Sequence, residues 1–487
     1  MNNSQIFENL QNIYGPNALS NNDEILKDYS KDLSFLQEMT PLCVVWPSKT
    51  KEIEETVKLA NNLNFSLIPI SSKAGPRQNG DTIPRKDNSV ILDLSKMDKI
   101  LEIDEKNRVI MVEPGVTYGD LIPKLKKKGL RLSLPLFPRV SKSVLSCVLE
   151  REPTTIPRYM WDSSDPLLCT EVIFGTGDLF RTGTAAGPGT IKQQKKMGQA
   201  QINPMGPTQF SPYRVIQGAQ GSMGVVAWCT IKVELLPTKQ KVFHIQSDKI
   251  EDLLNFQQKL LKYRLCDELL VLNDLNLASL IRQDSEKILD LANELNEWNL
   301  IYVISGRGEL ANDRISYLEG DINDIIEEES LISLKSSKTL ISADILKFLT
   351  EASNNPWRMR LRGGSQNIFF ISNYNNIPKF ISLVKKQVSN DLGIYIQPIN
   401  QGTSYHCEFN LFYNPEEYAR SQDFKERYMG ISKELMDNGA FFNRPYGLWA
   451  DEVFNRHADS TQMALKKVKK IFDPKNVLNP GVLCFDK

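Results

Sequence analysis

Residues Ser66 to Leu94 read SLIPISSKAGPRQNGDTIPRKDNSVILDL. One short apolar run breaks into a loop punctuated by glycine and proline, and a second run, SVILDL, follows; the pattern predicts two strands joined by a polar hinge. Within the hinge Ser71, Ser72, Lys73, Ala74, Gly75, Asn79 and Gly80 include the small and amide-bearing residues that leave backbone N–H groups exposed. Concave loops of that kind bind phosphate oxygens, so the hinge is a candidate pyrophosphate cradle, the plain alternative being a turn between strands.

Outward from this loop, PLCVVWP at residues 41–47 predicts a strand. Ser48 or Thr50 is placed to cap a following helix with Ile53, Val57 and Ala60 on one stripe, and Phe65 to Ile70 returns as a strand, a βαβ crossover. Downstream, VIMVEPGVTYGDL (109–121) again ends a strand on Pro114 and Gly115 before a helix. A further group of signals runs from Leu134 to Gly183: SVLSCVLEREPTTIP, then Trp161-Asp162, then a β-hairpin in which Glu171–Phe174 turns through Gly175-Thr176-Gly177-Asp178 into Leu179–Gly183.

Together these stretches resemble the FAD-binding half of the vanillyl-alcohol oxidase and p-cresol methylhydroxylase (PCMH) family. The resemblance implies that the hinge wraps the pyrophosphate of FAD, with cofactor contacts at Ser72, Lys73, Ala74, Gly75, Pro76, Asn79 and Gly80, and then at Pro114, Gly115 and Ser143. The run Gln217 to Val226 resembles the family's last FAD-contacting segment and adds Gly221, Gly224, Val225 and Val226. The closing motif FDPKNVLNPG (472–481) adds Asn479. The implied fold class is α+β: a two-part PCMH-type FAD-binding domain, residues 1–238 and 438–487, with an inserted α+β cap over 239–437. Pro237, where the texture changes to alternating strands and long amphipathic helices, marks the boundary.

Composition narrows the function classes. Lysine plus arginine equals aspartate plus glutamate, 59 each, so no bulk charge recruits nucleic acid. No apolar run approaches the length needed to cross a bilayer, and the polar start lacks the regions of a signal peptide, so a cytoplasmic location is expected. The seven cysteines are scattered and never spaced as CxxC, which argues against a disulfide framework, an iron–sulfur cluster or a structural zinc. Expected partners are a small-molecule substrate, a protein electron acceptor and, since the family is often dimeric, a second copy of the chain.

A flavin supplies the hydride-accepting chemistry, so few side chains are needed. Only three histidines occur, His244, His406 and His457. Strand alternation over Tyr405–Tyr413 puts His406, Glu408 and Asn410 on one face and Tyr405, Cys407, Phe409 and Leu411 on the other. A base and an acid two residues apart read either as the wall of a reaction chamber or as an ion-paired structural strand. By resemblance, the matching strand carries the histidine that bonds the flavin 8α-methyl group. His406 is therefore either a covalent FAD anchor or a substrate-facing base, with Cys407 as the alternative counterpart.

Arg444 lies among Phe441, Phe442, Tyr446 and Trp449 rather than in a charge run, and an arginine so placed either has an anionic partner or stacks at the surface. By resemblance it holds a phenolate or a carboxylate. The two tyrosines that accompany this arginine in phenol oxidases match Asn79 and Asn443, and the family's aspartate near the flavin matches Phe137-Pro138-Arg139. Val140-Ser141-Lys142-Ser143 replaces a run of glycines. These departures weaken a 4-alkylphenol substrate, and Arg139 with Arg444 favours an anionic one. The expected reaction removes a hydride from a C–H bond of an aromatic alcohol, alkylphenol or related hydroxylated substrate, with His406 or Glu408 accepting the proton. The rivals are a 2-hydroxy-acid dehydrogenase and a flavin-binding electron-transfer subunit.

Overall fold

In the computed structural model, which describes residues 3–157, 166–206, 212–328, 340, 342–388, 391–418 and 422–486, the strands divide among three main sheets. Trp161 and Asp162 lie outside the described residues. The first sheet holds β1 (Leu19–Ser20), β2 (Cys43–Val45), β3 (Ser66–Ile70) and β4 (Ser89–Asp93) in the order β1-β2-β4-β3. β2, β4 and β3 are parallel. Their residues are buried on both faces: Cys43, Val45, Leu67, Val90 and Leu92 in one cluster, Val44, Ile68, Ile70 and Ile91 in another. That explains why the runs are continuously apolar rather than alternating.

Periodicity did not reveal the strand order. β4 slots between β2 and β3, so the crossover through helix Thr50–Leu63 skips a position. The two runs of the opening stretch are parallel neighbours, and the loop 71–88 must therefore travel back along the sheet. Its length is a topological necessity, and it leaves the loop standing open as a wall. The N-terminus of the crossover helix is capped by neither Ser48 nor Thr50. Glu52 reaches back and accepts the N–H groups of Ser48 (2.7 Å) and Lys49 (3.3 Å).

The second sheet is antiparallel and contains β5 (Ile100–Asp104) and β6 (Val109–Val112). A short strand β7 (Leu130–Arg131) stands apart. β8 (Leu167–Phe174) and β9 (Leu179–Arg181) form the expected hairpin, with Glu171 opposite Arg181, and β10 (Gly224–Lys232) sits between β6 and β8. β11 (Glu234–Leu235) pairs with β7.

The third sheet is antiparallel and comprises β12 (Lys239–Ser247), β13 (Glu268–Asn273), β14 (Trp298–Gly306), β15 (Gly364–Ser372), β16 (Leu392–Ile399) and β17 (Ser404–Tyr413), in the order β12-β14-β13-β16-β17-β15. One face of β17, with Tyr405, Cys407, Phe409 and Leu411, packs into a core built with helices Ile250–Tyr263, Ile377–Lys385 and Gln422–Asp437. The opposite face turns His406 and Glu408 into a cleft. The alternation expected from sequence is therefore observed, and it removes Cys407 from the site.

Two later segments join these sheets. Phe441 makes an antiparallel bridge with Ile371 on β15, which delivers the following residues to the site face of the third sheet. Leu478 makes a parallel bridge with Leu67 on β3: Leu67 N–H donates to Val477 O (2.7 Å) and Asn479 N–H to Leu67 O (2.8 Å).

Candidate functional site

A cleft of about 310 Å³ runs between the loop 71–82, the segments 135–153 and 216–226, and the site face of the third sheet. Of the residues expected to hold a cofactor, Ser72, Pro76, Asn79, Pro114, Gly221, Gly224, Val225 and Val226 line it.

The others hold the walls from behind. Ser143 N–H donates to Ser72 Oγ (3.1 Å), and Ser143 Oγ donates to Pro114 O (2.6 Å). Gly80 N–H donates to Asp32 Oδ2 (2.7 Å). Ala74, beside Gly75, accepts through its carbonyl from Arg139 (3.0 Å). Gly115 presses on residue 95 so closely that a Cβ would lie 2.4 Å from the Ser95 carbonyl oxygen. The Asn479 amide donates to Asp81 O and Gln220 O, both at 2.7 Å, and staples two walls together. The Lys73 ammonium pairs with Asp98 (3.0 Å) and Asp120 (2.9 Å).

The walls suit an extended dinucleotide. Gly221 has φ +71°, and a Cβ there would lie 2.6 Å from Pro69 Cγ, so backbone approaches the cleft where a side chain has no room. Among the described residues, the buried polar atoms Thr82 Oγ1, Gln220 Oε1, Asn443 Oδ1 and Arg444 Nε have no hydrogen-bond partner. Orphaned polar atoms of that kind normally meet a ligand or water.

The roof is a cross-strand array. Opposite Glu408 stand Phe369 on β15 and Tyr395 on β16; opposite His406 stand Ile371 and Gln397. His406 Nε2 lies 3.2 Å from Glu408 Oε2, and its ring packs beside Tyr395 and Phe369. Glu408 is fully engaged. Arg358, on the turn Trp357–Met359, donates from Nε to Oε1 and from a terminal nitrogen to Oε2 (3.0 Å), and Asn410 donates to Oε1 (2.6 Å). Burial pushes the Glu408 carboxyl up, but Arg358 outweighs it and holds the group well below the usual carboxylate range. A carboxylate so held is a weak proton acceptor. Burial, with Arg444 and Arg358 nearby, lowers the His406 pKa against the upward pull of Glu408, leaving the imidazole neutral at pH 7.

Arg444 is 7% exposed and lies over the Phe369 ring, 4.4 Å from its centroid. No described carboxylate reaches it within ion-pair distance. Its segment is fixed on three sides by the Ile371–Phe441 bridge, by Gln220 donating to Pro445 O (3.0 Å), and by the Tyr446 phenol donating to Glu150. A buried guanidinium with a π-face below it and no carboxylate at ion-pair distance has donors that can receive an anion. Arg139 is also present at the cleft, and burial lowers its pKa to about 10.

Sequence reading missed the floor. Lys142 pairs with Glu152, whose carboxyl burial pushes up but Lys142 holds at about 2. Glu150 and Asp81 line the same cleft, as does Arg358. The only local signal was the charged run LEREP (149–153).

Residues 41–149 match the family described as FAD binding domain. The chain is 21% identical over 456 residues to the mitochondrial D-lactate dehydrogenase [cytochrome] of Kluyveromyces lactis, covering 90% of this chain and 73% of that protein. Its fold superposes on p-cresol methylhydroxylase with substrate bound (TM-score 0.80, 16% identity, 99% and 97% of the two chains). It also superposes on 4-ethylphenol oxidase from Gulosibacter chungangensis (TM-score 0.79, 16% identity, 98% and 96%).

Proposed function

We propose that this chain, an FAD-linked oxidoreductase with a PCMH-type FAD-binding domain, oxidises a small hydroxylated substrate whose anionic group is bound by Arg444. FAD, when bound along the cleft, supplies the hydride-accepting chemistry. The protein's own work is to place the donor carbon and to take the hydroxyl proton. Arg444 fixes the anionic end, with Arg139 adding positive potential. His406 accepts the proton: Nε2 is engaged by Glu408, which leaves Nδ1 for the substrate hydroxyl, and the low proton affinity of the buried ring keeps it ready at neutral pH. Phe369, Tyr395 and the loop 71–82 exclude water around the reacting carbon.

The single observation that carries this reading is the buried, unpaired Arg444. It favours a 2-hydroxy carboxylate, in keeping with the D-lactate dehydrogenase similarity over most of the chain. A second reading, an alkylphenol or aromatic alcohol bound as phenolate, is favoured by the aromatic wall of Phe369 and Tyr395. Asn79 and Asn443 at the positions of the phenol-binding tyrosines weigh against it. We place the enzyme in the cytoplasm as a homodimer that passes its electrons to a protein acceptor.

Steady-state bleaching of the flavin by D-2-hydroxy acids, vanillyl alcohol and 4-cresol tests the assignment. Bleaching by hydroxy acids alone is the expected result. Bleaching by phenols alone overturns the carboxylate reading, and reduction only by a partner protein overturns the oxidase or dehydrogenase role.

A further inference from the structure

A second cavity, of about 30 Å³, lies beside the cleft, and Gln78, Asn79, Asn367 and Phe369 belong to the walls of both. Phe369 is the one ring in that shared wall. Strand β15 sets it opposite Glu408, two residues from Asn367 and so on the same face of the sheet. Towards the cleft it meets the two groups assigned to substrate: the Arg444 guanidinium lies 4.4 Å from its centroid and the His406 ring 6.0 Å away. Towards the second cavity it meets Trp449 edge-on at 5.2 Å and Tyr446 at 6.2 Å. Phe35 and Tyr428, with rings 5.0 Å apart, extend that aromatic lining. The polar atoms of two of these rings are turned elsewhere, because Trp449 Nε1 donates to Ser432 Oγ (3.0 Å) and the Tyr446 phenol to Glu150. What they offer the cavity is apolar ring surface, which suits hydrocarbon.

We propose that Phe369 is the size filter of the site: its ring shuts the aromatic side cavity off from the cleft, and so confines the enzyme to substrates with a short chain on the carbon that is oxidised. The inference rests on reading Arg444 as the anion site. A 2-hydroxy acid carries four substituents on that carbon. Arg444 takes the carboxylate, His406 takes the hydroxyl and the hydrogen leaves as hydride, so the chain is the substituent still to be accommodated. Phe369 packs against both Arg444 and His406, and a chain directed between them runs into its ring. In a closely packed wall a surplus methylene has nowhere to go unless the ring is removed. With a smaller residue at 369 the cleft and the side cavity become continuous, and the rings behind receive the longer chain.

The test uses the FAD-loaded protein and its bleaching by D-lactate, D-2-hydroxybutyrate and D-2-hydroxyhexanoate, whose chains lengthen while the reacting group stays the same. In the parent, kcat/KM is expected to fall by about tenfold or more from the first acid to the last. In Phe369→Ala the order is expected to reverse, with D-lactate slowed and D-2-hydroxyhexanoate gaining about tenfold. Phe369→Leu, which keeps an apolar side chain at the buried position, is expected to fall between the two and decides the matter if the alanine variant fails to fold or to hold FAD. Equal kcat/KM for the three acids in the parent, or variants that lose rate equally on all three, overturns the filter and leaves Arg444 as an anion site. Oxalate, a dicarboxylate that cannot be oxidised at a C–H bond, tests the premise separately through its perturbation of flavin absorbance. Parent protein that binds oxalate but is bleached by none of the acids overturns the filter alone; parent protein that binds no oxalate overturns the Arg444 reading and this proposal with it.

Discussion

Arg358 grips Glu408 with two nitrogens on two oxygens, and Glu408 in turn holds His406 through Nε2 at 3.2 Å. The fork fixes the orientation and tautomer of the imidazole from a turn outside the strand that carries it. Arg358→Met leaves a buried carboxylate unpaired and is expected to cost roughly 3 kcal/mol of stability, read as a fall in Tm. Glu408→Gln removes the only upward influence on the His406 proton affinity while Arg358 and Arg444 remain. With His406 as the proposed base, the acidic limb of the kcat–pH profile is expected below the ordinary histidine value in the parent and lower still in Glu408→Gln, with a smaller maximal rate. A limb that stays put would falsify the dyad.

Removing the buried guanidinium is expected to affect turnover far more than folding. Arg444→Met keeps its packing on Phe369 but loses the charge, and kcat/KM should drop by about two orders of magnitude with FAD content unchanged. Arg444→Lys should recover part of the loss, because a point charge replaces a planar fork. Equal activity in all three proteins, measured under the same conditions, would remove Arg444 from substrate binding.

Acid should expose the Lys142–Glu152 pair. The folded-state carboxyl pKa of about 2 lies below its unfolded value of 4.5. The stabilisation is therefore fully present above pH 4.5 and disappears as pH falls through about 2; it amounts to at most about 3 kcal/mol. Thermal melts between pH 5 and pH 2 should fall more steeply for the parent than for the Lys142→Met, Glu152→Gln double variant. Parallel curves would mean that the pair contributes nothing.

If His406 serves as a base, it is not tied to the flavin. Acid precipitation of the holoprotein should then leave the yellow colour in the supernatant. Colour carried down in the pellet and lost in His406→Ala would establish the anchor instead and leave the proton without this acceptor.

The fold was legible where its cause is local. A glycine- and proline-broken loop between apolar runs, and a strand whose polar residues recur every second position, follow from backbone sterics and from the two-residue period of a pleated strand. His406, Glu408 and Arg444 could therefore be singled out from residue type and spacing. Strand order could not, because no pattern within β2, β3 or β4 encodes which strand lies between the others. The Tyr446–Glu150 hydrogen bond joins residues far apart in sequence and exists only once two walls meet. Arg358 sits on a turn with no periodicity to mark it. The partners of the Lys73 ammonium could not be read from its loop, because only the fold brings Asp98 and Asp120 to it.

The pairing of Val477–Asn479 with β3 has a consequence for biogenesis. Asn479 and Asp81, which its amide clamps, are 398 residues apart in sequence. At ordinary ribosomal speeds a nascent chain waits roughly 20–80 s between emergence of one and of the other. Throughout that interval the edge of β3 and the loop 71–82 lack these partners. Polypeptides stalled before residue 477 are therefore expected to emerge colourless, read as the absence of flavin absorbance.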